Sequence, residues 1–284
     1  MKLAHLACLA VGFLCLAGCP RPSAEAPSTV RIASVTIDSD ATLWALGEDV
    51  RGKVVAVSAL VDDARYSPIT NTWPAEVPRV KGTSESLLAL RPSVAFLAEW
   101  SDPAGRTLLE QSNIEVVVLS GYGGFEDYRA RVRTIAAAVD ATPRGDAVIK
   151  AFNEALQAAR SDAGNGLSIV SYASGNVAAA GTTFADEAEA AGFVNLPSRE
   201  GLNGHPSVSL EQLVAWQPAA IVIPCEDDCA QTEAAFAKQP GVDATPAAKQ
   251  GRIIALEGPL LFATGPRMVE VTRALAQRIE EASP

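Results

Sequence analysis

Two cysteines stand four positions apart in Cys225-Glu226-Asp227-Asp228-Cys229, directly after an apolar stretch. Their thiols can close a small disulfide ring around an acidic tip, or take a metal with help from the two aspartates. Outside a reducing cytosol the disulfide is the expected form. Because the ring is small, it would stabilise by a few kcal/mol at most. The chain has two histidines, at positions 5 and 205. His205 lies in the loop Gly201-Leu202-Asn203-Gly204-His205-Pro206 before an expected helix. A loop imidazole can ligate a transition metal carried inside a larger chelate. A free zinc or manganese site needs several convergent ligands, and one histidine does not provide them. The sequence holds no Gly-x-Ser-x-Gly elbow, no His-Glu-x-x-His and no phosphate loop with its lysine. A hydrolase relying on imidazole would have only His205. The expectation is a chain that is not an enzyme.

The first residues carry a different chemistry. Met1-Lys2 precedes an apolar run from Leu3 to Ala17 without an acidic residue, the n-region and h-region of a signal peptide. The run is short for a membrane span, which needs about 20 apolar residues. It ends in Leu16-Ala17-Gly18-Cys19, which resembles the bacterial lipobox at every position. Cleavage before Cys19 would remove residues 1–18, and with them Cys8 and Cys15. The thiol of Cys19 would then carry diacylglycerol. More than one acyl chain is needed to hold a protein stably on a membrane, and the expected lipid supplies them. Residues 19–29, rich in Pro, Ser and Ala, read as a lipidated flexible tether. The expected location is periplasmic or otherwise extracytoplasmic, anchored by the N-terminal lipid.

Loss of residues 1–18 leaves 266 residues, enough for two domains of about 120 better than for one. The whole chain has 33 acidic and 23 basic residues, a net charge of −10. Such a surface opposes binding to nucleic acid or to anionic lipid faces. Strand-like and helix-like segments alternate along the chain. Strands are expected at 31–35, 53–60, 94–98 and 115–119, with helices at 40–47, 84–90, 107–112 and 125–139. A helix opened by Pro143 runs to about Arg160, with Val148, Phe152, Ala155, Leu156 and Ala159 at 3/4 spacing. The alternation then resumes, with strands at 167–172, 220–223 and 252–256 and helices at 184–191, 209–216, 232–239 and 266–282. The outline of helix, X-Pro and apolar strand occurs twice, around Arg91-Pro92 and around Gln217-Pro218. The predicted fold is α/β: two Rossmann-like lobes bridged by a single long helix, with loops at the strand ends facing a shared cleft. The divisions are an N-terminal lobe over 30–142, a bridging helix over 143–162 and a C-terminal lobe over 163–284.

The chain resembles a known family over residues 30 to 281. The matching pieces in the first lobe are Arg31-Ile32-Ala33-Ser34, Ala45-Leu46-Gly47, Val77-Pro78-Arg79-Val80-Lys81-Gly82 and the stretch from Ser84 to Pro92. In the second they are Ala180-Gly181-Thr182-Thr183-Phe184, Ala191-Gly192-Phe193-Val194-Asn195, Val208-Ser209-Leu210-Glu211 and Gln250-Gly251-Arg252-Ile253-Ile254. In order and spacing these are similar to the helical-backbone periplasmic binding proteins that serve ABC importers of cobalamin, ferric siderophores and haem. The resemblance implies capture of a ligand between the lobes, without catalysis or a resident cofactor. It implies delivery by a monomer to an inner-membrane permease dimer with its ATPase. Members like the cobalamin binder carry one glutamate per lobe for docking on that permease, and the matching positions are Glu85 and Glu211. The start of the first helix departs from the family's Pro-Ser-Thr-Glu, reading Ile37-Asp38-Ser39-Asp40-Ala41-Thr42. The following polar loop lacks the common Asp-Tyr-Pro-Pro, with Asp63 and Tyr66-Ser67-Pro68 nearby.

A bulky planar ligand needs apolar walls with a few polar anchors. The loops offer Tyr66, Trp73, Trp100, Tyr122, Tyr172, Phe184, His205 and Phe262, with Arg267 at a helix start. Aromatic rings give contact area at low entropy cost, and Tyr and Trp retain a polar handle. Trp44 and Trp216 sit within helices on apolar faces and read as core. His205 could meet haem iron or corrin cobalt, Tyr66 haem iron, and Arg267 a ligand carboxylate or phosphate. The two glutamates and the aromatic loops favour a corrinoid ligand. The alternatives are a ferric siderophore, then haem, then a receptor lipoprotein of this fold without transport.

Overall fold

The computed structural model describes residues 30–282. The expected signal peptide, Cys19 and the expected tether therefore lie outside the described residues. The N-terminal lobe contains β1 (Ile32–Ser34), α1 (Ile37–Ala45), α2 (Glu48–Arg51), β2 (Val54–Ser58), β3 (Arg79–Val80), α3 (Ser84–Leu90), β4 (Val94–Ala98), α4 (Pro103–Gln111), β5 (Glu115–Leu119) and α5 (Phe125–Ala138). The long helix α6 (Thr142–Ala159) follows. The C-terminal lobe contains β6 (Ser168–Ala173), β7 (Asn176–Val177), α7 (Thr183–Ala190), β8 (Val194–Asn195), α8 (Leu196–Arg199), α9 (Leu210–Ala215), β9 (Ala220–Cys225), α10 (Cys229–Phe236), a 3-10 turn (Val242–Ala244), α11 (Pro246–Lys249), β10 (Ile253–Glu257), α12 (Gly258–Leu261) and α13 (Met268–Glu281).

The strands of the first lobe lie in the order β3-β2-β1-β4-β5, all parallel. Burial on both faces explains their composition: β4 (Val-Ala-Phe-Leu-Ala) is buried at all five positions. The order reverses between β1 and β4, and in an open parallel sheet the crevice beyond the strands' carboxyl ends at that point is where ligands bind. In the second lobe β10, β9 and β6 are parallel; β8 pairs parallel and β7 antiparallel along the outer side of β6.

The joint between the lobes is broader than one helix. The 18 residues of α6 span about 27 Å at 1.5 Å rise. Its buried stripe of Ile149, Phe152, Leu156 and Ala159 packs with Phe125, Tyr128 and Val132 of α5, Ala190 of α7, and Met268 and Val269 at the start of α13. The terminal helix begins at Met268 rather than Pro266, because a separate turn, α12, and the loop 262–266 intervene. That loop reaches the other lobe.

Candidate functional site

A cavity of about 260 Å³ opens between the lobes at the carboxyl ends of β1, β2, β4 and β5. The first lobe contributes Thr36 and Asp38 after β1, Ser58 and Leu60 at the end of β2, Tyr66 and Pro68, Trp100 after β4, and Tyr122 after β5. The second contributes Pro259, Phe262, Thr264 and Arg267 from α12 and the loop leading into α13. Of the residues singled out in the sequence, the structure thus brings together Tyr66, Trp100, Tyr122, Phe262 and Arg267.

The wall is aromatic and open. Trp100 is 68% exposed, Phe262 54% and Tyr66 37%. The rings of Trp100 and Tyr122 meet at 4.6 Å, tilted. The hydroxyl of Tyr122 is buried and has no protein partner. Burial pushes its pKa up to about 12, against the pull of nearby Arg131, so it stays a proton donor at neutral pH.

The other expected pocket residues lie elsewhere. Trp73 is 3% exposed, part of the first lobe's core, and meets Trp44 edge-on at 5.1 Å. Phe184 is 2% exposed in the core of the second lobe. Tyr172 is half-buried against Phe236, 6.0 Å between ring centres. His205 is exposed in its loop and does not line the cavity. Trp73 and Phe184 stand next to polar or glycine-rich sequence, which suggested loops at a surface; their rings instead turn inward and close the cores. Arg267 lines the cavity, but its guanidinium is engaged. It pairs with Glu270 at 3.3 Å and donates to the carbonyl of Arg65 across the cleft, so it clasps the lobes rather than standing free for an anion. Among the described residues no three His, Cys, Asp or Glu side chains group to hold a metal ion.

The cavity floor rests on a polar arrangement that the sequence reading did not single out. Arg131, 3% exposed, pairs with Asp38 at 2.9 Å and also donates to the carbonyls of Gly121 and Thr264. Its charge lies over the Tyr122 ring at 4.0 Å. Thr264 returns its hydroxyl to Asp38 at 2.9 Å, which ties the loop of one lobe to the floor of the other. The available signal was position: Arg131 falls on the same face of α5 as Phe125, Tyr128, Val132 and Ile135, where a charge requires a partner. Beneath the floor, Asp40 is fully buried and accepts from the amide of Ser58 at 3.0 Å. Desolvation raises its pKa to about 7 despite hydrogen bonds from Ser34 and Ser58.

Cys225 and Cys229 are joined, with Cα atoms 5.1 Å apart, and the ring links the end of β9 to the start of α10. Glu85 and Glu211 occupy corresponding places on the two lobes. Each is exposed in the first turn of its helix, after a hydroxyl cap from Thr83 or Ser209. Each helix is followed by a left-handed residue before proline, Arg91 at φ 48° and Gln217 at φ 49°. The backbone amide of Glu211 and the Ser209 hydroxyl hold the Glu211 carboxyl below the usual carboxylate range.

Residues 32–260 match the family model described as periplasmic binding protein, so the chain belongs to the periplasmic binding proteins. These are carriers rather than catalysts. No curated protein matches the chain. Among solved structures it is similar to a periplasmic heme-binding protein of Roseiflexus sp. RS-1 (24% identity, 89% of this chain and 99% of that one, TM-score 0.70). It is also similar to a possible iron-binding periplasmic solute-binding protein of Staphylococcus epidermidis (19%, 88% and 98%, TM-score 0.75). A third is the periplasmic vitamin B12 binding protein of Vibrio cholerae (18%, 89% and 97%, TM-score 0.63). At these identities the likeness shows the fold: two α/β lobes linked by long helices.

Proposed function

We propose that the chain is the substrate-binding lipoprotein of an ABC importer and that it captures an iron chelate, haem before a ferric siderophore, in the cleft between its lobes. The observation that carries this reading is the pair of exposed aromatic planes, Trp100 and Phe262, standing on opposite lobes of one cavity with the phenol of Tyr66 beside them. Flat apolar walls suit a planar macrocycle, and a phenol can ligate ferric iron. The cavity, about 260 Å³, lies just below the usual range of drug-sized pockets, so a macrocycle would stand partly out of the cleft against those two rings. The corrinoid that the sequence favoured is bulkier still and fits such a slot less well. The heme-binding and iron-binding structures also match this fold at higher TM-scores, 0.70 and 0.75, than the vitamin B12 binder at 0.63.

Lipid on Cys19 would hold the carrier at the membrane. Glu85 and Glu211, one per lobe, would meet a permease of pseudo-twofold symmetry, adding steering and registration more than affinity. The test is an absorbance titration of the soluble domain with haemin, ferric siderophores and cyanocobalamin. One-to-one haemin binding with a Soret shift that Tyr66→Phe removes is the expected result. Siderophore binding without haemin binding would keep the importer role and change the ligand; corrinoid binding alone would restore the reading from sequence.

A further inference from the structure

The segment Gly121–Phe125, which carries Tyr122 into the cleft, is held by carboxylates from both lobes. Asp127 of the same lobe accepts from the Gly123 amide at 2.8 Å. Asp186, on α7 of the opposite lobe, accepts from the Phe125 amide at 2.8 Å. Phe125 is the first residue of α5, whose N-cap, Gly124, offers no side chain. A helix start leaves its first amides without intrahelical partners, and a carboxylate is a preferred group to satisfy them. Here the cap comes from another lobe, 61 residues away in sequence.

The close fit at this joint requires the missing side chains. A Cβ on Gly124 would come within 2.2 Å of the Asp186 carboxylate, and one on Gly123 within 2.4 Å of the Gly181 carbonyl. Both partners belong to the second lobe. The same contact thus joins the lobes and holds the segment that carries Tyr122.

We propose that Asp186 is a positioning residue for ligand binding: by capping α5 across the seam it fixes both the lobe spacing and the place of Tyr122, without touching the ligand. It is absent from the cavity lining. The ligand part of this inference rests on the proposed carrier function; the cap itself does not. The consequence is specific, because an amide oxygen can accept the same hydrogen bond as a carboxylate oxygen. Asp186→Asn retains the cap, whereas Asp186→Ala removes it and Gly123→Ala, whose Cβ meets the backbone of Gly181, wedges the joint apart.

The test places spin labels at Glu110→Cys and Lys238→Cys, exposed sites on the two lobes, and measures the distance distribution without ligand. The same variants without labels are titrated with haemin and a ferric trihydroxamate. Asp186→Ala and Gly123→Ala are expected to broaden the distribution and weaken the bound chelate by about fivefold, a cap's ordinary contribution. Asp186→Asn is expected to retain the parental distances and affinity. An unchanged distribution in both Asp186→Ala and Gly123→Ala overturns the proposal, as does a broadened one with full affinity. If the parent binds neither probe, the ligand reading fails, and the distances alone decide whether the lobes are capped as described.

Discussion

Asp40 sets a pH dependence that runs against the usual behaviour of aspartates. Its side chain is buried, one carboxylate oxygen accepts from the Ser58 amide and the other has no partner. A folded pKa near 7 against an ordinary 3.8 means that the folded chain holds the extra proton between those values. The stabilising contribution of this group is therefore largest near pH 4 and declines as pH rises to about 7. Asp40→Asn, which cannot ionise, is expected to gain stability relative to the parent at pH 8, by about 1–3 kcal/mol, and to lose that gain at pH 5. Urea unfolding of both proteins at the two pH values measures it; a difference independent of pH would contradict it. Glu187 is a second carboxyl of this kind, fully buried with both oxygens unpartnered, and its pKa too is driven up by desolvation. Asp38, by contrast, is paired with a cation, the buried Arg131. Removing it by Asp38→Ala strands the buried Arg131 and is expected to cost about 3–5 kcal/mol in thermal or chemical unfolding.

At the scale of elements, the sequence yielded what short-range pattern can yield. Buried parallel strands read as apolar runs, as in Val94–Ala98, and Pro143 marked the start of the long helix. The two-residue strands β3, β7 and β8 were not legible, since so short a pairing is decided by a neighbouring strand and leaves no periodicity of its own. Loop composition also failed to tell Trp100 from Trp73. Both follow short polar or acidic stretches, but one stands out in the cleft and the other is sealed under α1, a difference fixed by packing between distant segments. Asp38 and Arg131, 93 residues apart, illustrate the same limit. Trp73→Ala is accordingly expected to lower unfolding free energy by about 3–5 kcal/mol, whereas Trp100→Ala should change it little. Denaturant curves for the pair decide this, and equal losses would contradict it. The small ring closed by Cys225 and Cys229 is expected to contribute about 2 kcal/mol, read as the difference between the parent and the Cys225→Ser/Cys229→Ser double variant.

For the molecule as a whole, the symmetry of the two lobes matters as much as the cleft. The repeated outline of helix, X-Pro and strand was visible in the sequence. The structure places its two exposed glutamates in matching first turns. Under the carrier reading, Glu85→Lys with Glu211→Lys should leave chelate binding by the purified chain unchanged and abolish uptake in cells; retained uptake would contradict the docking role. The molecule also has a larger hollow, about 790 Å³, on the flank between α1, α6 and α13, lined by Trp44, Ile69, Val148, Ala151 and Val269. It shares Pro68 and Pro266 with the cleft but neither of the exposed aromatic planes, and under the proposed function the ligand sits in the smaller cleft.

Haemin isotherms on three proteins decide that assignment: the parent, Trp100→Ala with Phe262→Ala, and Ala151→Trp, which fills the flank. Losing two apolar contacts of about 1.5 kcal/mol each should weaken binding about 100-fold in the cleft variant, while Ala151→Trp binds as the parent does. Parental affinity in the cleft variant, or its loss only when the flank is filled, would place the ligand outside the cleft.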